Sequence, residues 1–337
     1  MRVLITGGYG FIGAWIIRNL LAQGDEVYVY DLKEDARRLR LILPEAEVQK
    51  VKFVPGDVCD LPALTNALKF LRITHLIHLA GLQVPTCRVD PMLGAKVNVL
   101  GTLAVFEAVK ALGSQIERLV YASSSAVLGS PDKYPPGSLA DDAPLIPSTH
   151  YGIFKVCNEG NARIYFQDSG ISSVGLRPWT VYGVGRDLGM TSEPTKAIKA
   201  ALLGRPYAIN FGGITDFQYV DDVAKVFVNS LMRPYKGAKS YNLRGSVVTL
   251  KEFHAALAKV LPEAAKLVTT GTTQIAIAYD LDDSALQKDL GPMPKTSLEE
   301  GIRETVRIFR ELHAEGRLDT SDIDGPKPPP VVTIDEV

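Results

Sequence analysis

A short apolar strand that runs through a glycine-rich turn into a helix leaves few folds open, and residues 1–13, MRVLITGGYGFIG, have that form. Val3, Leu4 and Ile5 carry no charge, as expected of a strand buried on both faces. Gly7, Gly8, Gly10 and Gly13 follow, and Ile12, Ile16 and Leu20 fall on one face of a helix. Missing side chains let the backbone approach a ligand, and the free N–H groups and positive dipole end of a helix meet an anion. A glycine turn alone could serve tight packing. Strand, turn, helix and an acid at position 31 together point to a bound dinucleotide.

At 337 residues the chain is too long for one small core, so one large domain or two interlocked ones are expected. Net charge is −1 and no basic run is long enough for a nucleic-acid surface, so no nucleic-acid partner is expected. A strand beginning at residue 3 leaves no room for a signal peptide, and no segment reads as apolar for long enough to span a bilayer. Cys59, Cys87 and Cys157 lack metal-site spacing and fit a reducing cytoplasm. The five histidines are scattered, and no metal is expected.

Further along, Val27–Asp31 reads as a second strand ending in an acid. A carboxylate there accepts hydrogen bonds from ribose hydroxyls and repels a 2′-phosphate, favouring NAD over NADP. Lys33, Arg37 and Arg38 read as a solvated charged face. A third strand, 52–54, leads into Gly56-Asp57-Val58; a fourth, 75–80, ends at Gly81; a helix is expected over 92–112 and a fifth strand over 118–122. This alternation predicts an α/β fold, a doubly wound parallel sheet whose ligands bind beyond the carboxyl ends of its strands. Those ends carry Gly7 to Gly13, Asp31, Asp57, Gly81 and Ser123 to Ser125.

Tyr151 and Lys155 lie four apart in a helical stretch, hence on one face one turn apart. An ammonium beside a phenol favours the phenolate and lowers a pKa normally about 10. Ser124 or Ser125, at the end of the fifth strand, could hold a reacting oxygen.

Several further segments stand in a fixed order. They are Thr6-Gly-Gly-Tyr-Gly-Phe-Ile-Gly13, Gly56-Asp57-Val58, His78-Leu-Ala-Gly81, Asn98-Val-Leu-Gly-Thr102 and Ser123-Ser-Ser-Ala-Val-Leu-Gly129, then Tyr151-Gly-Ile-Phe-Lys155, Leu176-Arg-Pro-Trp-Thr-Val-Tyr-Gly183 and Asp216-Phe-Gln-Tyr-Val-Asp-Asp-Val223. In these the chain resembles the extended short-chain dehydrogenase/reductase superfamily, of the NAD-dependent epimerase/dehydratase type. The resemblance implies that Gly7, Gly10, Phe11, Ile12 and Gly13 surround the pyrophosphate of NAD, and that Asp31 takes the adenosine ribose. Asp57 and Val58 would bracket the adenine, and Ala80 and Gly81 would line the path to the nicotinamide. Ser124 becomes the catalytic hydroxyl, Tyr151 the acid/base, and Lys155 both a ribose ligand and a tuner of the tyrosine. Asn98 would distort the long helix. The resemblance further implies a Rossmann domain over 1–183 with returns near 214–245, and a smaller, discontinuous substrate domain over 184–213 and 246–320. It also implies a homodimer through the Tyr151 helix and the long helix before the fifth strand. Residues 321–337, with Gly325 to Pro330 and no apolar period, read from composition as a Pro-rich tail.

Departures from the family pattern bear on the reaction. Sugar-nucleotide 4,6-dehydratases resemble one another in placing Asp-Glu directly after the catalytic hydroxyl, where this chain has Ser125 and Ala126, so dehydration by that route is not expected. Sugar-nucleotide epimerases resemble one another in carrying Asn and Arg where this chain has Thr180 and Thr215, and the galactose type has Lys at Gln83. Losing two cations and an amide makes a nucleoside diphosphate harder to hold. Arg186, Lys196, Arg205 and Arg244 read as surface cations. A smaller sugar-like or polyhydroxylated substrate is therefore expected, contacted by Gln83, Ser125, Thr180, Thr191 and Ser192, with Trp179 as an apolar wall. The leading reading is an NAD-dependent dehydrogenase or reductase acting on a secondary alcohol or ketone. The alternatives are an epimerase with tightly held NAD and a non-catalytic NAD sensor, which would have no need of Ser124, Tyr151 and Lys155.

Overall fold

A computed structural model describes residues 1–324. Among these are twelve strands, which alternate with helices as far as β6: β1 Arg2–Thr6, β2 Glu26–Asp31, β3 Lys52–Pro55, β4 His75–His78, β5 Arg118–Ala122, β6 Ser173–Arg177, β7 Thr180–Tyr182, β8 Tyr207–Ile209, β9 Ile214–Tyr219, β10 Ala238–Asn242, β11 Ser246–Thr249 and β12 Val268–Thr270. Seven of them form one parallel sheet in the order β10-β6-β5-β4-β1-β2-β3. The chain starts in the middle, winds outward to β3, then returns past β1 to β4. The crevice that this reversal opens lies beyond the carboxyl ends of β1 and β4.

Alternation along β1 builds the two cores. Val3 and Ile5 join the apolar cluster on one face of the sheet and Leu4 joins the other, all three inaccessible to solvent. The first cluster continues through the helix Phe11–Ala22 into the helix Val220–Met232. Trp15 ties this face to a distant loop by donating its indole N–H to the Val184 carbonyl at 2.9 Å.

The returns expected near 214–245 divide between two sheets. β10 pairs in parallel with β6, whereas β9 lies between β7 and β11 in a separate three-stranded sheet. A two-stranded pair, β8 with β12, completes the smaller part. Ser321–Asp324 forms one helical turn at Lys199 and Arg205, whose side chains reach Asp322 at 2.7 Å and Asp324 at 2.6 Å. The rest of the expected tail lies outside the described residues.

The helix expected over 92–112 is broken, as Asn98 suggested. An α-turn over Pro91–Ala95 passes through a π-turn over Lys96–Leu100 into α-helix Gly101–Leu112. The Asn98 carbonyl accepts from Thr102 Oγ1 at 2.7 Å and Asn158 Nδ2 at 2.9 Å, which draws it away from regular pairing. Its side-chain amide meanwhile grips Leu82 on both N–H and C=O. By length and composition Pro91–Gln115 is apolar enough to cross a membrane, which corrects the sequence expectation; half of its apolar window is buried inside the protein.

Candidate active site

A cavity of about 590 Å³ opens at the switch point of the sheet. Its nucleotide end is built mostly from backbone. Gly7 has φ +68°, and a Cβ there would stand 2.7 Å from the Ala80 nitrogen, so only glycine lets the turn pack under the end of β4. Gly10 caps the helix Phe11–Ala22 without a side-chain hydrogen bond, leaving the first-turn N–H groups of Phe11, Ile12 and Gly13 facing the cavity as an anion cradle. Asp31 reaches the rim at the end of β2, its carboxylate held by the amides of Leu32 and Tyr9, and burial pushes its pKa up. Asp57, Val58, Ala80 and Gly81 line the same wall. Cradle, rim carboxylate and strand-end wall fit the diphosphate, ribose and adenine of a dinucleotide.

The chemical end is assembled from side chains. Thr149 caps the helix His150–Ser169 through Gly152 N at 3.0 Å, which aims the first two turns at the carboxyl edge of β5. Lys155 Nζ lies 5.6 Å from the centre of the Tyr151 ring and donates to the Ala122 carbonyl at 2.6 Å. Ser124 accepts from Ala126 N at 3.1 Å, and its hydroxyl bonds to the Tyr151 phenol. Behind it Ser123 donates to Glu159 at 2.5 Å, and Arg177 clamps that carboxylate through two nitrogens at 2.9 and 2.7 Å. This buried pair fixes the end of β5.

The electrostatics differ from the sequence expectation. Burial raises the Tyr151 pKa, outweighing the lowering by the Ser124 hydrogen bond and by the charge of Arg186. Lys155 is itself lowered to about 8 by burial, and is not what pulls on the phenol. The helical spacing identified the pair but could not reveal that both groups are desolvated.

Of the residues expected at the substrate, Gln83, Ser125 and Thr191 line the cavity and Trp179 forms part of its wall, its indole fixed to the Ala278 carbonyl at 2.7 Å. Thr180 and Ser192 do not reach it. Thr180 is fully buried and shares a 2.7 Å hydrogen bond with Thr215, because its position on β7 faces β9; Ser192 turns back to the Gly189 carbonyl at 2.8 Å. Sequence reasoning missed Met190, Ile275 and Ile277, and placed Arg186 on the surface, whereas all four line the cavity. Lys196 is also buried, Arg205 pairs with Asp324, and Arg244 with Asp280 at 2.5 Å. Arg38, expected on a solvated face, instead binds Asp187, the Gly185 carbonyl and the Tyr9 carbonyl. Nothing in local periodicity marks contacts made across 149 positions.

Residues 3–243 match the profile of the NAD dependent epimerase/dehydratase family. The chain is 31% identical over 318 residues to a UDP-glucose 4-epimerase of Mycolicibacterium smegmatis, covering 92% of this chain and 99% of that one. The crystal structure of a Thermus thermophilus UDP-glucose 4-epimerase in complex with NAD superimposes with a TM-score of 0.77 at 31% identity, covering 92% and 99% of the two chains. An L-threonine dehydrogenase from Clostridium difficile shares the fold, with a TM-score of 0.80 at 20% identity over 92% and 98%.

Proposed function

The chain belongs to the NAD-dependent epimerase/dehydratase family of the extended short-chain dehydrogenases/reductases, and from that premise we propose that it interconverts a secondary alcohol and the matching ketone on a small sugar-like or polyhydroxylated substrate. It is an NAD-dependent enzyme. The observation that carries the reading is the meeting of Ser124, Tyr151 and Lys155 at one end of a cavity whose other end is the dinucleotide cradle.

Bound NAD supplies a hydride acceptor and, once reduced, a hydride donor. The raised pKa suits Tyr151 to give its proton to the carbonyl oxygen in the reduction direction; in oxidation it takes the hydroxyl proton only after losing its own, while Ser124 donates a hydrogen bond to the carbonyl oxygen. Lys155, anchored on Ala122, would hold the nicotinamide ribose. Trp179 and Ile275 exclude water from this end. The small-substrate reading draws support from the Thr180–Thr215 hydrogen bond, which closes inside the wall and offers no amide or cation to a nucleoside diphosphate.

A second reading, an epimerase that keeps NAD bound, is favoured by the relatives at 31% identity. Gel filtration followed by reduced-cofactor absorbance separates the two. The dehydrogenase reading expects an empty protein that forms NADH only when NAD and a polyhydroxylated alcohol are added. Stoichiometric NAD surviving the column, with sugars inverted and no net NADH, would replace it by the epimerase.

The same reading extends to a homodimer through the two helices that frame the site, supported by exposed Leu93 and Leu100 on one and Ile153 and Ile164 on the other. All three cysteines are free thiols, in keeping with a reducing compartment.

A further inference from the structure

Among the described residues Arg186 is the one guanidinium that lines the cavity, and its neighbours leave it without an acid. Asp187, next in the chain, would be its natural partner. That carboxylate is taken from the other side by Arg38 Nη2, at 2.7 and 3.0 Å, and by Arg37 at 3.4 Å. Arg38 also binds the Gly185 carbonyl at 3.2 Å, so the loop is pinned on both sides of Arg186 with that side chain turned inward.

Inside, Arg186 Nη2 donates to Thr191 Oγ1 at 3.0 Å, while Nε is shut off from solvent and has no hydrogen-bond partner. Among the described residues Arg186 makes no ion pair; its guanidinium lies 5.5 Å from the centre of the Phe11 ring. Its charge acts on the Tyr151 phenol, so the two share one chamber. Burial lowers the guanidinium only to about 10, and it stays charged at neutral pH. Room is kept beside it by Gly189, with φ +98°: a Cβ there would collide with Gln83 Oε1 and stand 3.3 Å from Arg186 Nη2.

A half-buried guanidinium with Nε shut off from solvent and no carboxylate in hydrogen-bond contact is costly, and a planar fork with free N–H groups matches a carboxylate through two parallel bonds. We propose that the substrate carries a carboxylate, bound by Arg186 with Thr191 and Gln83 beside it, while its reacting carbon faces Tyr151. This makes the substrate a hydroxy acid of the sugar-acid class. It deepens the function proposed above and rests on it only for the reaction at carbon. A sugar nucleotide fits less well, because its diphosphate would meet a single guanidinium among the apolar walls of Trp179, Met190, Ile275 and Ile277.

The test uses the full chain loaded with NAD. Hydroxy acids from glycerate to gluconate and glucuronate, neutral glucuronamide and glucose, and UDP-glucose are compared by calorimetric binding and by NADH formation. One or more acids should bind, with the neutral compounds and UDP-glucose silent. Arg186→Gln should weaken that acid roughly 30-fold, and Arg186→Lys, which keeps the charge without the fork, by less. NAD affinity, read from tryptophan quenching, should be unchanged in both and shows that they are folded. Absence of acid binding, acid binding indifferent to Arg186→Gln, or a loss of NAD affinity in the variants would overturn the proposal; the last would assign the guanidinium to the cofactor's diphosphate. Binding of an acid that depends on Arg186 but yields no NADH would leave the carboxylate site standing and remove the redox reading instead.

Discussion

The two ends of the cleft are made in opposite ways. The nucleotide end is one contiguous strand, turn and helix, completed by the ends of β2, β3 and β4, and what it offers a ligand is mainly backbone N–H groups and missing side chains. The chemical end draws side chains from positions 83, 124, 151, 155, 186, 191 and 275, and it holds desolvated charge. A backbone cradle satisfies itself with water or ligand alike, so it can be present at little cost to the fold. Buried side-chain charges cannot, and they hold their positions because the surrounding structure over-determines them.

If that contrast is right, one oxygen at the chemical end should matter more to turnover than any single side chain at the other. Tyr151→Phe removes the proposed proton-transfer group and keeps the ring packing, and general acid–base catalysis contributes about 10²- to 10⁴-fold. The expected outcome is a loss of that size in kcat with NAD affinity within about twofold. Steady-state rates beside a cofactor titration check it, and retention of most activity would remove Tyr151 from its role.

The contrast also predicts that the chemical end weakens the fold. Lys155 titrates at about 8 in the folded protein, against an ordinary value of 10.5, because burial disfavours its charged form. The unfolded chain therefore holds more protons between those two values, and the lysine's destabilising effect is complete below pH 8 and fades as pH rises towards 10.5. At 1.36 kcal/mol per pKa unit the effect is roughly 3 kcal/mol. Lys155→Met should then be inactive yet melt several degrees higher than the parent at pH 7, with the gap closing in alkaline buffer. A variant that melts lower at pH 7 would show that the bond to Ala122 outweighs desolvation.

How much of each end was legible in the sequence follows from the same difference. The cradle could be read because its parts are neighbours in the chain: Val3 to Gly13 is a strand, a turn and a helix within one short stretch, and Asp31 ends the next strand. Tyr151 and Lys155 could be read because a helix turns spacing into adjacency. Thr180 could not be placed, since its face of β7 is decided by pairing with β9, which is 35 positions away at Thr215. The same holds for Arg186, whose direction is set by Arg38 and Asp187 closing a loop of 149 residues. Local pattern fixes which elements form, and long-range closure decides which side chains a cavity receives.

The smallest expected effect belongs to the acid that ends β2 at the nucleotide end. Asp31 stands at the rim, with solvent on one side and its carboxylate oriented by two backbone amides. A charge-assisted hydrogen bond in that setting is worth roughly 1.5 kcal/mol, or about tenfold in affinity. Asp31→Ala should weaken NAD by about that factor and leave NADP unchanged or tighter, because the carboxylate that repels a 2′-phosphate is gone while the cradle persists. Parallel titrations with both cofactors read the ratio. If NAD and NADP weaken together, the aspartate shapes the cradle instead of reading the ribose, and the nucleotide end would then depend on buried side-chain geometry as much as the chemical end does.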